Sequence, residues 1–177
     1  MPVSQTTPAA PQHLTDMHLQ VLVFMSLIGE GTEHDVAHVS DVAAEDCEAE
    51  FLDLAATGLA KWGGGSAGWR ITDLGRTEHA ERVQAELAEL GLGAFVRQAY
   101  DAVLAADDDR DAVLSATAAL VARMRRFGAY ARRLAAASEA GPEGCTGDGA
   151  GDGAEDWHEV RDMLVRDLAI TLGLPTD

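Results

Sequence analysis

Lysine is almost missing from this chain. Lys61 is the only one, and 13 Lys and Arg together face 30 Asp and Glu, for a formal net charge of −17. A chain of that sign repels polyanions at long range. Non-specific nucleic-acid binding rests on phosphate neutralisation, and little here can supply it. Cysteine is also scarce. Cys47 falls on an apolar helix face and Cys145 in a Gly-rich loop, so the two make no disulfide framework and read as reduced thiols of a cytoplasmic protein. No apolar run is long enough to span a bilayer, which argues against a membrane partner. The first residues, Met1-Pro2-Val3-Ser4, lack the basic and apolar regions of a secretion signal. Catalytic signatures are missing too: no Gly-x-Ser-x-Gly, no Walker loop, no dinucleotide fingerprint after a strand. Gly63-Gly64-Gly65 falls in a hairpin rather than before a helix, and no carboxylate is marked out by an apolar setting. These absences point away from an enzyme and imply no cofactor.

What is present favours helix. Ala, Leu and Val dominate, the 47% hydrophobic content is enough for a core, and 177 residues suit one ordinary domain or two small ones. Residues 1–12 carry three prolines among small polar residues and read as a disordered arm. Thr15 or Asp16 can cap a helix with Leu19, Leu22, Val23 and Leu27 on one wide apolar face, ended by Gly29 and Gly31. A short helix over Glu33–His38 turns Val36 and Val39 inward. Ser40 or Asp41 then caps an acidic helix over about 42–57. Leu59–Trp62 and Trp69–Ile71 are short strands joined by a Gly-rich tip, with Trp62 and Trp69 stacked across the hairpin. Thr72 caps the next helix, which runs to Leu90.

From Gly91 onward the chain reads as helical. One helix runs from Ala94 to about Ala106. Asp107-Asp108-Asp109 forms a turn, and one long helix then covers about 110–137. Residues 138–154 read as a flexible acidic loop, and a last helix over about 155–172 carries Trp157, Val160, Leu164 and Leu168 in register. The implied organisation is a 13–91 domain followed by a 92–177 helical domain.

Helix, short helix, helix, two-stranded wing, helix is the order of a winged helix-turn-helix. The pattern Phe51-x-x-Leu54-x-x-x-Gly58-Leu59, followed by Ile71-Thr72-x-x-Gly75-Arg76, resembles the MarR and PadR groups of bacterial regulators. The resemblance covers roughly residues 15–91. The C-terminal half is similar to the helical tail with which PadR-type proteins dimerise. Through Arg126-Phe127-x-x-Tyr130-x-x-Arg133-Leu134 and Asp167-Leu168-x-x-x-Leu172-Gly173, it resembles uncharacterised actinobacterial winged-helix proteins more closely. The resemblance implies a mainly α protein with an N-terminal winged helix, a small β-wing and a C-terminal dimerisation-type helical domain. It also implies a dimeric transcriptional regulator in which Ala44, Glu45, Ala49, Lys61, Ser66, Arg70 and Arg76 occupy the DNA-facing positions.

The charges oppose that implication. The recognition-helix positions hold Glu45, Asp46 and Glu48 where such regulators present basic or small polar residues, and the wing tip carries no arginine. Between His13 and Gly91 fifteen acidic residues face four basic ones. The rival reading is therefore a winged helix that does not bind DNA and serves as a protein-interaction or anion-sensing module with a basic partner.

Two further constellations bear on function. Arg123, Arg125, Arg126, Arg132 and Arg133, with Tyr130 close by, form the chain's only basic cluster, suited to a small anion or an acidic partner patch. The plainer alternative pairs them internally with Asp156, Glu159 and Asp162 of the last helix. His34 and His38 share a helix face and could hold a metal with Asp35, Asp41 or Cys47. Two exposed surface histidines explain the spacing as well, and we expect no metal.

Overall fold

The computed structural model describes residues 12–140 and 156–176. Among these the chain is mainly helical, with one small antiparallel sheet. α1 (Met17–Ile28) starts where the Asp16 carboxylate accepts the Leu19 N–H at 2.9 Å. Val21 to Met25 are buried without a break, so α1 has no solvent face over these turns. It is a central helix wrapped on all sides, where the sequence suggested one apolar stripe.

The glycines after α1 do more than stop it. β1 (Glu30–Gly31) pairs with β3 (Trp69–Ile71), which pairs in turn with β2 (Ala60–Trp62), in the order β1-β3-β2. The expected two-stranded hairpin is therefore part of a three-stranded sheet whose third strand has two residues. Gly68 makes this close approach workable: its φ is +69°, and a Cβ there would lie 2.5 Å from the Gly31 carbonyl oxygen. α2 (Glu33–Ser40) opens with a capping box between Thr32 and Asp35. Asp41 does not cap the acidic helix. It closes α2 in the left-handed conformation at φ 71°, its carboxylate pairs with Arg132, and α3 (Ala44–Ala56) begins at Ala43 with no side-chain cap. α4 (Asp73–Leu90) begins at Thr72 and ends at Gly91.

The second half holds α5 (Gly93–Ala106), α6 (Arg110–Val121), α7 (Gly128–Ala140) and α8 (Trp157–Thr171). The single helix expected over 110–137 is interrupted. Met124 is extended and Arg125–Phe127 form a 3-10 turn. The backbone groups freed by the break are met by the chain's own beginning: His13 N–H donates to the Arg123 carbonyl at 2.8 Å, and Arg125 N–H to the His13 carbonyl at 3.0 Å. The turn carries Met124, Arg126 and Phe127 into the interior, and Tyr130 follows from α7.

Trp157, Val160, Leu164 and Leu168 lie along one side of α8 and are buried. Each contributes about 1.5–3 kcal/mol relative to exposure, before the entropy of ordering it. α8 packs against α1, α4, α5 and α7. The buried residues from Leu19 to Leu168 consequently form one continuous core across the 91–92 boundary. The acidic segment expected to be a loop from residue 138 begins as helix, since α7 runs through Ala140. The rest of that segment, the arm over 1–11 and Cys145 lie outside the described residues. No helix among the described residues is long and apolar enough to cross a membrane.

Candidate functional site

α3 is helical because its apolar residues recur at helical spacing and its acids suit its start. Cys47, Phe51 and Leu54 are buried on one face, against α1 and α2. Glu45 and Asp46 stand in the first turn, at the positive end of the helix dipole. Burial pushes the Cys47 thiol up to about 11, so it is an inert packing group. Glu50 turns toward α1 and meets His18 Nδ1 at 2.7 Å. The remaining face exposes Glu45, Asp46, Glu48, Ala49, Leu52 and Asp53, with Ala44 half-buried beside it.

The hairpin flanks this face. Trp62 stands opposite Trp69 in the ladder, with ring centroids 5.3 Å apart at 70°. Trp69 also reaches Phe51 of α3, 5.6 Å between centroids. One tryptophan thus ties the hairpin to the helix, while Trp62 is 55% exposed. Ser66 lies in the 3-10 turn Gly65–Ala67 at the tip. The basic residues of this half do not form a stripe. Lys61 is exposed on β2, Arg70 pairs with Glu30, and Arg82 meets Asp16 at 3.5 Å. Arg76 donates to the Ser26 carbonyl at 3.4 Å.

The arginine-rich segment is dispersed by the break between α6 and α7. Arg123 is exposed and lies over the Phe95 ring at 5.8 Å. Arg125 is exposed beside a cleft shared with Asp41 and Asp46. Arg132 pairs with Asp41, and Arg133 is buried with its guanidinium 3.5 Å from the Met163 sulfur.

Arg126 is 2% exposed, and its Nη1 donates to both Asp167 oxygens at 2.7 and 2.8 Å. Its Nη2 donates to Thr171 Oγ1 at 2.7 Å, and Tyr130 donates to Asp167 Oδ2 at 3.1 Å. Glu86, held by His13 at 2.8 Å, stands 3.9 Å from Arg126 Nε. The paired carboxylate keeps Arg126 charged despite burial, while burial and the Asp167 charge push the Tyr130 phenol well above its usual value. Arg126 and Tyr130 are thus paired with Asp167 inside the fold.

The partner of Arg126 in α8 is Asp167, not the expected Asp156, Glu159 or Asp162. Asp156 instead caps α8 by accepting the His158 N–H at 3.0 Å. Asp167 was legible in principle. It lies three residues after Leu164 and seven after Val160, on the buried face, and a lone charge there requires a buried partner. His79 is the other residue that sequence reading missed. It sits on the Gly75, Val83, Leu87 face of α4 and is fully buried. On α2, His34 and His38 are both exposed, and among the described residues no three ligand-type side chains converge as a metal site would need.

Comparison with family models, with curated proteins and with solved structures finds no match for this chain.

Proposed function

We propose that this chain is a winged-helix module that docks a basic protein partner through α3 and the adjoining hairpin, and does not bind DNA. The element order α1, β1, α2, α3, β2, β3, α4 supports the winged-helix reading. The observation that carries the functional reading is the outer face of α3, where Glu45, Asp46, Glu48 and Asp53 are exposed and the helix itself carries no basic residue. Leu52, 59% exposed, and Trp62 add apolar surface beside these acids. An apolar anchor within a ring of one charge suits a partner helix or loop of the opposite charge. The transcriptional-regulator reading needs a positive stripe. Of the arginines that could form it, Arg70, Arg82, Arg126 and Arg132 each meet a carboxylate, while Arg76 donates to the Ser26 carbonyl, Arg123 lies over the Phe95 ring and Arg125 is exposed.

The test is fluorescence anisotropy of the full chain with a labelled random DNA duplex and with a labelled oligo-arginine peptide, across a low-to-moderate salt series. The duplex stays free even at low salt, where electrostatics are least screened. The peptide binds, and the triple variant Glu45→Gln/Asp46→Asn/Glu48→Gln weakens it about tenfold, or about 1.4 kcal/mol. Neutralising three exposed acids elsewhere, Asp101→Asn/Asp107→Asn/Asp108→Asn, leaves the peptide affinity unchanged. Equal loss in both triple variants would reduce the effect to net charge. Duplex binding that falls steeply with salt would restore the regulator reading.

A further inference from the structure

The C-terminus of α1, the first half of α4 and the C-terminus of α8 enclose a cleft of about 560 Å³. That volume is within the usual range for small-molecule sites. His79 lines it from the inside. The residue is fully buried, and neither Nδ1 nor Nε2 has a hydrogen-bond partner. A buried polar group left unmet costs about 1–3 kcal/mol, so its retention calls for a reason.

Arg76 and Arg166 stand at the edge of the same cleft, both exposed. Each places one N–H on a carbonyl of the last turn of α1, Ser26 and Leu27 respectively, at the long distance of 3.4 Å. A guanidinium has five N–H donors, so most of each fork remains uncommitted. Among the described residues neither meets a carboxylate, and no Asp or Glu lines the cleft. In a chain of net charge −17 this is a local reversal of sign. Leu27, Ile28, Ile170 and Leu174 supply an apolar wall beside it.

We infer that this cleft binds a small organic anion, with a carboxylate or phosphate head held by Arg76, Arg166 and the His79 imidazole and an apolar body against Ile28, Ile170 and Leu174. Burial, with Arg126 adding to it against the pull of Asp167, lowers the His79 imidazole to about 4. At neutral pH the ring is uncharged and can donate one N–H to an anion oxygen. The two guanidiniums supply the charge; the His79 nitrogens are sealed from the cleft in this structure, so the ring meets the bound head by turning toward it. The site is independent of the docking face on α3.

Isothermal titration calorimetry of the full chain with inorganic phosphate, hexanoate and hexyl phosphate tests this. Hexyl phosphate or hexanoate binds saturably and more tightly than inorganic phosphate. The imidazole nitrogen resonances of His79 shift on binding. The variant Arg76→Gln/Arg166→Gln, at two exposed positions, weakens binding by at least about tenfold. Arg123→Gln/Arg125→Gln, outside the cleft, does not. Whichever head binds more tightly identifies the ligand class. Inorganic phosphate binding as tightly as hexyl phosphate would overturn the apolar subsite. Failure of all three probes to bind, or binding that survives the loss of both arginines, would overturn the site itself and leave Arg76 and Arg166 as partners of the α1 carbonyls alone.

Discussion

Arg126 and Asp167 meet in a space that water does not reach, with side chains 1% and 0% exposed. Desolvating two charges offsets much of their attraction, so the pair adds little net stability, whereas breaking it strands a buried charge. Asp167→Asn or Arg126→Met alone therefore costs about 3–5 kcal/mol in urea unfolding. The double variant Arg126→Met/Asp167→Leu costs less than either. Additive losses would mean that the two charges are not energetically coupled. His79 adds a pH dependence. It titrates at about 4 when folded against an ordinary value of 6.5. Between these limits the unfolded chain binds more protons, so stability complete above pH 6.5 is lost as pH falls toward 4. The full effect is on the order of 3 kcal/mol. His79→Leu flattens the stability profile over that window and is neutral or stabilising at pH 7, because it removes two unmet nitrogens. An unchanged slope in the variant would assign the acid sensitivity to another group.

At the scale of elements, the stretch Ile71-Thr72-x-x-Gly75-Arg76 is a joint between sheet and helix. Thr72 Oγ1 accepts the Gly75 N–H at 3.0 Å, which caps α4, and donates to the Gly58 carbonyl at 2.8 Å, which ties that cap to the end of α3. Gly75 lies so close to the hairpin that a Cβ would stand 2.2 Å from the Leu59 carbonyl oxygen, just before β2, and 2.5 Å from Ile71 Cδ1 of β3. Gly75→Ala must push α4 off the sheet. A cost of about 1–3 kcal/mol follows, a drop of several degrees in Tm for a chain of this size. A melting temperature within a degree of wild type would show that the joint gives way freely. The start of α1, the capping of α4 and the ladder of Trp62 with Trp69 were legible because capping oxygens and alternating strands act over a few residues. The break at 122–127 was not. Its backbone partner is His13, more than a hundred residues away, and its buried charge is answered by Asp167 and Glu86, both far off in sequence.

Over the whole molecule, α8 lies against α1 and α4 and closes one core shared by both halves. Cooperative unfolding follows from that sharing, since neither half retains its buried surface without the other. Trp62→Phe/Trp69→Phe leaves Trp157 in α8 as the only reporter, and Trp157→Phe leaves the hairpin pair. Scaled for their own stabilities, the two variants show the same single transition by fluorescence and by far-ultraviolet circular dichroism. A hairpin signal lost ahead of the circular-dichroism transition would mark the 13–91 segment as an independently folding domain.

The sequence by itself determined the helical character, the hairpin, most element ends and the acid surplus of α3, because these follow from short-range periodicity, capping chemistry and formal charge. Only the tertiary structure decided which charges remain available. Among arginines that look alike in one dimension, it enclosed Arg126 with Asp167, set Arg132 on Asp41, and left Arg76 and Arg166 beside a histidine with no partner. The reason is physical. A charge is neutralised or left open according to what long-range packing brings within a few ångströms of it, and local sequence does not encode that distance.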